Sequence, residues 1–228
     1  MLTSAQLETL RDYDVCAIID AIEQFGVRLR NEGFTRPGLR CFTQREPRLL
    51  GYATTLQVRS SDPPATGGTF LERTDWWPET DTVPFPRIAV LEDLEPNPLG
   101  ACIGELHSAL FKALGFDGVI TNGAVREIGA VRHMRFPVFG QFVGASRGYR
   151  HVVSHGTPVE ILGLKIHNGD LLYADCHGVV NIPAEIAGEV GQVASRIRAR
   201  EARMVQACLS SHLTRAELVQ MIQSGQKS

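Results

Sequence analysis

The chain has 228 residues, of which 43% are hydrophobic and 21% charged, with a formal net charge of -2. That composition suits an ordinary soluble domain, able to bury roughly 70% of its unfolded surface without a disulfide or metal staple. The charge removes the electrostatic case for nucleic acid, and no run approaches the ~18 apolar residues of a membrane span.

The five cysteines, Cys16, Cys41, Cys102, Cys176 and Cys208, are scattered and form no CxxC pair. They read as reduced thiols rather than a disulfide frame or zinc site. The start MLTSAQLETLRDYDV holds no apolar signal-peptide core, so a cytoplasmic location is the expectation.

In chain order, Thr3 with Gln6 predicts a capping box for a first helix bearing Leu7 and Leu10. Asp14 caps a second, whose Val15, Ile18, Ile19, Ile22 and Phe25 share a face that Gly26 ends. These are packing helices over residues 1–26, and Asp20 falls on the polar side. Leu49 to Val58 reads as a strand with a bulge at Gly51. Ser61 to Pro86 is a long irregular loop holding Gly67, Gly68, Trp76 and Trp77, the two indoles suited to a pocket wall or a subunit contact. Arg87 to Leu91 is the next strand.

The central stretch runs from Gly100 to Glu127. Ile103, Leu106, Leu110, Phe111 and Leu114 recur at helical spacing before Gly115, so Glu105 lies in a first turn whose free N–H groups suit an anion. Gly118 to Thr121 is a short buried strand, and Asn122-Gly123 breaks it. Arg126 and Glu127 follow at its carboxyl end, where open α/β sheets usually bind ligands.

Beyond it, Ile128, Val131 and Met134 mark a short helix, and Phe136 to Val143 a strand. Arg147, Arg150 and His151 make a basic loop, solvated or in contact with an anionic substrate. Val159 to Ile166 alternates as a strand; Leu171 to Ala174 and Val179 to Ile182 flank a turn that contains His177 as a turn residue. A long helix runs from Pro183 to about Leu209, and Thr214 with Glu217 caps the last one, giving a C-terminal helical segment over 184–228. No repeat or second domain interrupts 1–228.

No GxGxxG, P-loop or HExxH occurs, so nucleotide binding and zinc proteolysis lack their markers. Glu105 and Glu127 offer the oxygen ligands that Mg²⁺ or Mn²⁺ prefers, with Arg126 placed to stabilise an oxyanion. An Arg-Glu pair after a strand is equally what a surface ion pair looks like. The only lysines are Lys112, Lys165 and Lys227, none beside Arg126, which leaves a Schiff-base mechanism without an obvious nucleophile.

Gly104-Glu105-Leu106-His107, followed by Arg126-Glu127 within GVITNGAVRE, then FPVFGQFV and NGDLLYADCHGVVNIP, resembles the RraA-like family over roughly Asp14 to Arg200. That family joins class II 4-hydroxy-4-methyl-2-oxoglutarate and 4-carboxy-4-hydroxy-2-oxoadipate aldolases to the regulator of ribonuclease E activity A. The resemblance implies an α/β fold of the swivelling β/β/α, phosphohistidine-domain-like kind, with a central β-sandwich or barrel-like core and flanking helices. It implies a homotrimer or homohexamer with sites at subunit boundaries. It places a pyruvyl carboxylate on the amides around Leu106 and His107, beside Gly104, with Arg126 on the keto oxygen, Glu127 as the ligand of a divalent metal (Mg²⁺ or Mn²⁺), and Glu105 on its waters. A neighbouring subunit often adds a carboxylate, for which Glu201 is the candidate.

The activity implied is metal-dependent retro-aldol cleavage of a 4-hydroxy-2-oxo acid to pyruvate, with oxaloacetate decarboxylation through the same enolate. The alternative is a non-catalytic, protein-binding ring like the ribonuclease regulator. Three positions depart from the family pattern: Glu127, Asn122 and His177 each stand where aspartate is usual. At 127 the extra methylene moves the carboxylate by roughly one C–C bond, ~1.5 Å.

Overall fold

A computed structural model describes residues 1–65, 68–210 and 214–225, the side chains at 224 and 225 excepted. Gly67, Lys227, and 211–213 and 226–228 of the C-terminal segment lie outside the described residues. The chain runs α1 (Ser4–Arg11), α2 (Val15–Glu23), β1 (Arg40–Cys41), β2 (Leu49–Arg59), α3 (Trp77–Thr80), β3 (Arg87–Asp93), β4 (Ala101–Ile103), α4 (Glu105–Ala113), β5 (Phe116–Thr121) and β6 (Ala124–Val125). It continues through α5 (Ile128–His133), β7 (Val138–Gly140), β8 (Phe142–Val143), β9 (His151–His155), β10 (Val159–Ile161), β11 (Leu164–Ile166), β12 (Leu171–Asp175), β13 (Gly178–Ile182), α6 (Ala187–Leu209) and α7 (Arg215–Gly225).

The main sheet has eight strands, in the order β1-β7-β5-β3-β2-β12-β13 with β9 also on β2. Strands β2, β3, β5 and β7 are parallel, and β1, β9, β12 and β13 join antiparallel. Covered on both faces, β2 reads as a nearly continuous apolar run. Its register shifts against β9 between Gln57 and Val58, and such a bulge bends a strand and turns the sheet toward closure. The result is the swivelling β/β/α architecture, a nearly closed barrel-like core flanked by helices.

Three apolar clusters hold it. Helices α1, α2 and α6 bury Leu10, Ile18, Ile22 and Val190 against Tyr173 and Val180. The α4 side packs Phe111 on Leu91, Val119 and Trp76. The β10–β11 hairpin sets Ile161 and Ile166 on Val90, Ile120 and Phe139. The caps at Thr3, Asp14 and Thr214 form as the sequence predicts.

Several sequence expectations change. Gly51 carries no bulge: it pairs in register with Leu172, and its missing side chain admits Pro86 O, 2.7 Å from where a Cβ would stand. Val159 to Ile166 is a hairpin, because Leu162 and Gly163 adopt φ of 48° and 84° and reverse the chain. Phe136 to Val143 divides between two sheets, β7 in one and β8 in the other. Ile103 is a buried strand residue and Leu106 is 56% exposed, so the buried face of α4 is His107, Ser108 and Phe111. Trp76 is 1% exposed and lies in the core against Phe70 and Phe111 rather than in a pocket wall or subunit contact.

The site is positioned by a second sheet of three short parallel strands, β4-β6-β8. Each continues a parallel strand of the main sheet: β3 leads to β4, β5 to β6, β7 to β8. Asn122 fastens this step. Its Oδ1 accepts the Asp93 N–H at 2.7 Å and its Nδ2 donates to Asp93 O at 3.0 Å, a two-way bond that an aspartate's oxygens cannot make.

Candidate active site

Where β4 ends, Gly104 turns the chain into α4. The first intrahelical bond runs from Ser108 N–H to Gly104 O at 2.9 Å, so the amides of Glu105, Leu106 and His107 precede it without helical acceptors. Beside this helix end, β6 delivers Arg126, tied by its own N–H to Ile103 O at 2.9 Å. Glu127 follows in a left-handed conformation, φ 55°. That strained turn swings its carboxylate back over the helix. Glu127 Oε2 accepts the Glu105 N–H at 2.9 Å, and Oε1 accepts from Arg126 Nη2 at 2.6 Å. The Glu105 amide, then Arg126, hold the Glu127 carboxyl below the usual range, so it is ionised at neutral pH. A Cβ on residue 104 would lie 2.6 Å from Glu127 Oε2 and 2.9 Å from Arg126 Cγ; only glycine allows this approach.

The cavity thus framed has a volume of about 350 Å³ and is lined by Gly104, Leu106, His107, Arg126, Glu127, Arg147 and Arg150. Five of the six residues expected at the site meet there. Glu105 does not line it: its amide is engaged by Glu127 while its side chain stands exposed outside.

Two residues of the loop between β8 and β9 join them. Arg147 is exposed, but Arg150, which the sequence leaves open as a solvated loop residue, is 5% exposed. Arg150 Nη1 donates to Ala101 O at 2.9 Å and Cys102 O at 2.6 Å, and Nη2 to His107 Nε2 at 2.6 Å. The sequence signal was limited to a basic cluster, since nothing local says which arginine turns inward. Burial, reinforced by Arg150, Arg147 and Arg126, pushes the His107 ring down to about 3. It is therefore a neutral acceptor for Arg150, and no proton donor at neutral pH. Burial also lowers Arg150 to about 10 and raises the Cys102 thiol, beneath it and beside Asp93, to about 12.

Glu127 puts one carboxylate into the cavity, an oxygen donor of the kind Mg²⁺ or Mn²⁺ takes while retaining most of its waters, and the Glu105 carboxylate stands outside it. A second candidate metal cluster, Asp175, Cys176 and His177, brings its ligand atoms within 4.8 Å of one another in the β12–β13 turn. Its Asp175 already accepts the Val15 N–H and the His177 N–H, both at 2.8 Å, and so caps α2. Ala174 pairs with Leu49 at the start of β2, roughly 30 Å along that strand from the Asp93 end. A larger cavity of about 850 Å³, lined among others by Tyr52 and Leu171, opens toward the same remote end; its Arg28 is already bonded to Asn181 O. Glu201 is exposed on α6, where it raises the Asp20 carboxyl after burial has done so.

Comparison with known proteins gives the same outline. The model of the family described as RraA-like, Aldolase/RraA, matches residues 15–181. A protein of Halalkalibacterium halodurans named "Putative 4-hydroxy-4-methyl-2-oxoglutarate aldolase" is 28% identical over 137 residues, covering 59% of this chain and 60% of that protein. An uncharacterized protein of Methanocaldococcus jannaschii, MJ0644, is 29% identical over 102 residues, 44% of this chain and 49% of that one. The chain therefore spans about half to three-fifths of the length of these two relatives. Among solved structures, an uncharacterized protein from Pseudomonas syringae superposes with a TM-score of 0.74 at 23% identity, covering 98% of this chain and 95% of that one. Streptomyces coelicolor RraAS2, described as an unusual member of the RNase ES inhibitor RraA family, gives 0.69 at 20% identity, covering 88% and 96%. At these identities the structural likeness speaks for the fold.

Proposed function

The chain belongs to the RraA-like family, and we propose that within it this protein is a divalent-metal-dependent aldolase, cleaving a 4-hydroxy-2-oxo acid such as 4-hydroxy-4-methyl-2-oxoglutarate to pyruvate. The observation that carries the reading is one cavity in which the unpaired amides of Leu106 and His107, the Arg126 guanidinium and the Glu127 carboxylate converge.

The helix end receives the C1 carboxylate, where the amides and the dipole both favour an anion. Arg126 donates to the keto oxygen, so that negative charge accumulating there as C3–C4 breaks meets a fixed cation. The C4 hydroxyl proton leaves through water to the exposed Glu105 carboxylate. The C3–C4 electron pair becomes the enolate, which is protonated at C3 to give pyruvate. Glu127 would hold a divalent ion, which when bound would supply Lewis acidity to the 2-oxo acid. Oxaloacetate yields the same enolate by losing CO₂, so decarboxylation accompanies the aldolase. A lysine Schiff base is disfavoured: neither Lys112 nor Lys165 lines the cavity, and Lys112 Nζ bonds to Met134 O at 2.9 Å.

One observation favours a second reading, a non-catalytic ring that binds a partner protein: Glu127 already occupies Arg126 and the first amide of the helix end. Pyruvate release from 4-hydroxy-4-methyl-2-oxoglutarate and oxaloacetate decides between them, measured with Mg²⁺ or Mn²⁺, with EDTA, and in Arg126→Ala. Release abolished by both EDTA and the substitution is expected. Release that survives EDTA and Arg126→Ala, or no release at all, refutes the aldolase reading, and a covalent adduct trapped by borohydride with pyruvate would replace it with a Schiff base.

A further inference from the structure

Behind the cavity that holds Arg126 lies a second chamber of about 270 Å³, whose walls include Pro64, Phe70, Leu71 and Tyr149. The residues common to both cavities, His107, Arg147 and Arg150, form the neck between them. One wall of the chamber is stiff: Phe70, 1% exposed, stands edge-on to His107 at 5.0 Å and to Phe111 at 6.0 Å. The opposite wall, Leu71 and Tyr149, keeps 37% and 59% of its surface in solvent.

The neck is cationic, and the charge that acts on its Arg147 and Arg150 from the neighbouring cavity is that of Glu127. The Arg147 guanidinium makes no hydrogen bond or ion pair among the described residues, although its backbone carbonyl accepts the Arg150 N–H at 3.2 Å. Arg150, buried, is held by two carbonyls and a neutral ring, and its Nε has no partner. Among the described residues Glu127 is the one carboxylate lining either cavity, and Arg126 engages it. Two guanidinium groups with no carboxylate bonded to them among the described residues suit one carried in by the ligand. The apolar chamber beyond them suits an apolar arm on the same carbon.

We infer that neck and chamber form a distal subsite, with Arg147 its specificity-determining residue, for 4-hydroxy-2-oxo acids that bear at C4 both a carboxylate and an apolar substituent larger than methyl. The inference rests on the aldolase reading, which places C1 on the helix end and C4 toward the neck. A methyl group leaves most of the chamber empty, whereas a cavity of about 150 Å³ already accepts benzene. Cleavage breaks C3–C4, moves its electrons into the pyruvate enolate and releases the hydroxyl proton. The other product is then a second 2-oxo acid carrying the apolar arm.

With Mg²⁺ present, kcat/KM for 4-benzyl-4-hydroxy-2-oxoglutarate is expected to exceed that for 4-hydroxy-4-methyl-2-oxoglutarate by at least about tenfold. Replacing the C4 carboxylate by hydrogen is expected to cost about a hundredfold in the wild type and less than about fivefold in Arg147→Met. A preference for methyl, or carboxylate discrimination that survives Arg147→Met, overturns the inference. The non-cleavable 4-benzyl-2-oxoglutarate, compared with 2-oxoglutarate by calorimetry, separates the two readings. It should bind at least about tenfold more tightly, and Leu71→Trp, which fills the chamber, should erase the gain. A binding gain without pyruvate release from any substrate removes the aldolase and leaves the subsite; release without a binding gain removes the subsite and leaves the aldolase.

Discussion

Replacing Arg150 by Met tests whether the loop between β8 and β9 is a structural part of the site or an accessory to it. The substitution keeps most of the side-chain volume and removes three charge-assisted bonds, to Ala101 O, Cys102 O and His107. Both carbonyls belong to β4, the three-residue strand that leads into the Gly104 turn, and each acceptor left dry costs about 1–3 kcal/mol. Against this, a guanidinium with no carboxylate partner no longer has to be desolvated, which returns part of the loss. The expected net destabilisation is about 2–4 kcal/mol. In urea, with a slope of ~2 kcal/mol per molar, the midpoint falls by about 1–2 M at unchanged slope. Arg150→Lys should lose less, since one ammonium still satisfies a carbonyl. Pyruvate release should fall in both variants, because the helix end is hung from those two carbonyls. An Arg150→Met midpoint within about 0.3 M of wild type would show that Ala101 and Cys102 need no buried donor, and the argument for Arg150 as the strut of the site would fail.

His107 makes stability depend on pH with a definite sign. Its folded pKa of about 3 lies below the unfolded value, so between about pH 3 and 6.5 the unfolded chain binds a proton that the folded one does not. Its contribution is complete above about pH 6.5 and declines on acidification by about 1.4 kcal/mol per pH unit, roughly 5 kcal/mol in all; urea midpoints across this range should be flatter in His107→Phe. Phe70→Ala removes a ring 1% exposed and in contact with His107, Trp76 and Phe111, and should cost about 3–5 kcal/mol in the same assay. Glu127→Asp shortens the reach to the Glu105 amide and should free the helix end, tightening pyruvate binding by about threefold to tenfold in calorimetry; weaker binding would show that Glu127 helps to seat the ligand rather than competing for its place. Gly104→Ala drives a methyl into Glu127 and Arg126 and should lower pyruvate release by at least about a hundredfold while far-ultraviolet circular dichroism stays unchanged.

What the sequence made legible follows from how local each signal is. Caps at Thr3, Asp14 and Thr214 need only the next few residues, and they form as read. Strands buried on both faces announce themselves as apolar runs, so β2, β3 and β5 were visible as strands, while their parallel pairing was not. The errors fall where a three-dimensional partner decides. Ile103 continues a helical period with Leu106 and Leu110, but pairing with Val125 makes it a strand residue. Val159 to Ile166 alternates as one strand would, because a hairpin whose turn falls at Leu162-Gly163 preserves the alternation on each side. Trp76 looked available for a pocket because its loop is irregular; Phe70 and Phe111, far apart in the chain, claim it for the core.

The site obeys the same rule one level up. Gly104, Arg126 and Glu127 were legible because two adjacent strand ends, β4 and β6, carry them in short motifs. Arg150 was not, although it is the most buried of the site's three arginines, because its partners are two backbone carbonyls and a histidine more than forty positions earlier. Backbone acceptors leave no mark in a sequence. The consequence reaches the chemistry: the amides that would grip a carboxylate, the carbonyls that hold Arg150 and the turn that aims Glu127 are all main-chain features of one small sheet and of the helix end it leads into. A substitution at Gly104 or Arg150 therefore acts on substrate binding by moving backbone, and it should disturb the affinity for pyruvate and for a longer 2-oxo acid alike, whereas one at Arg147 should separate them.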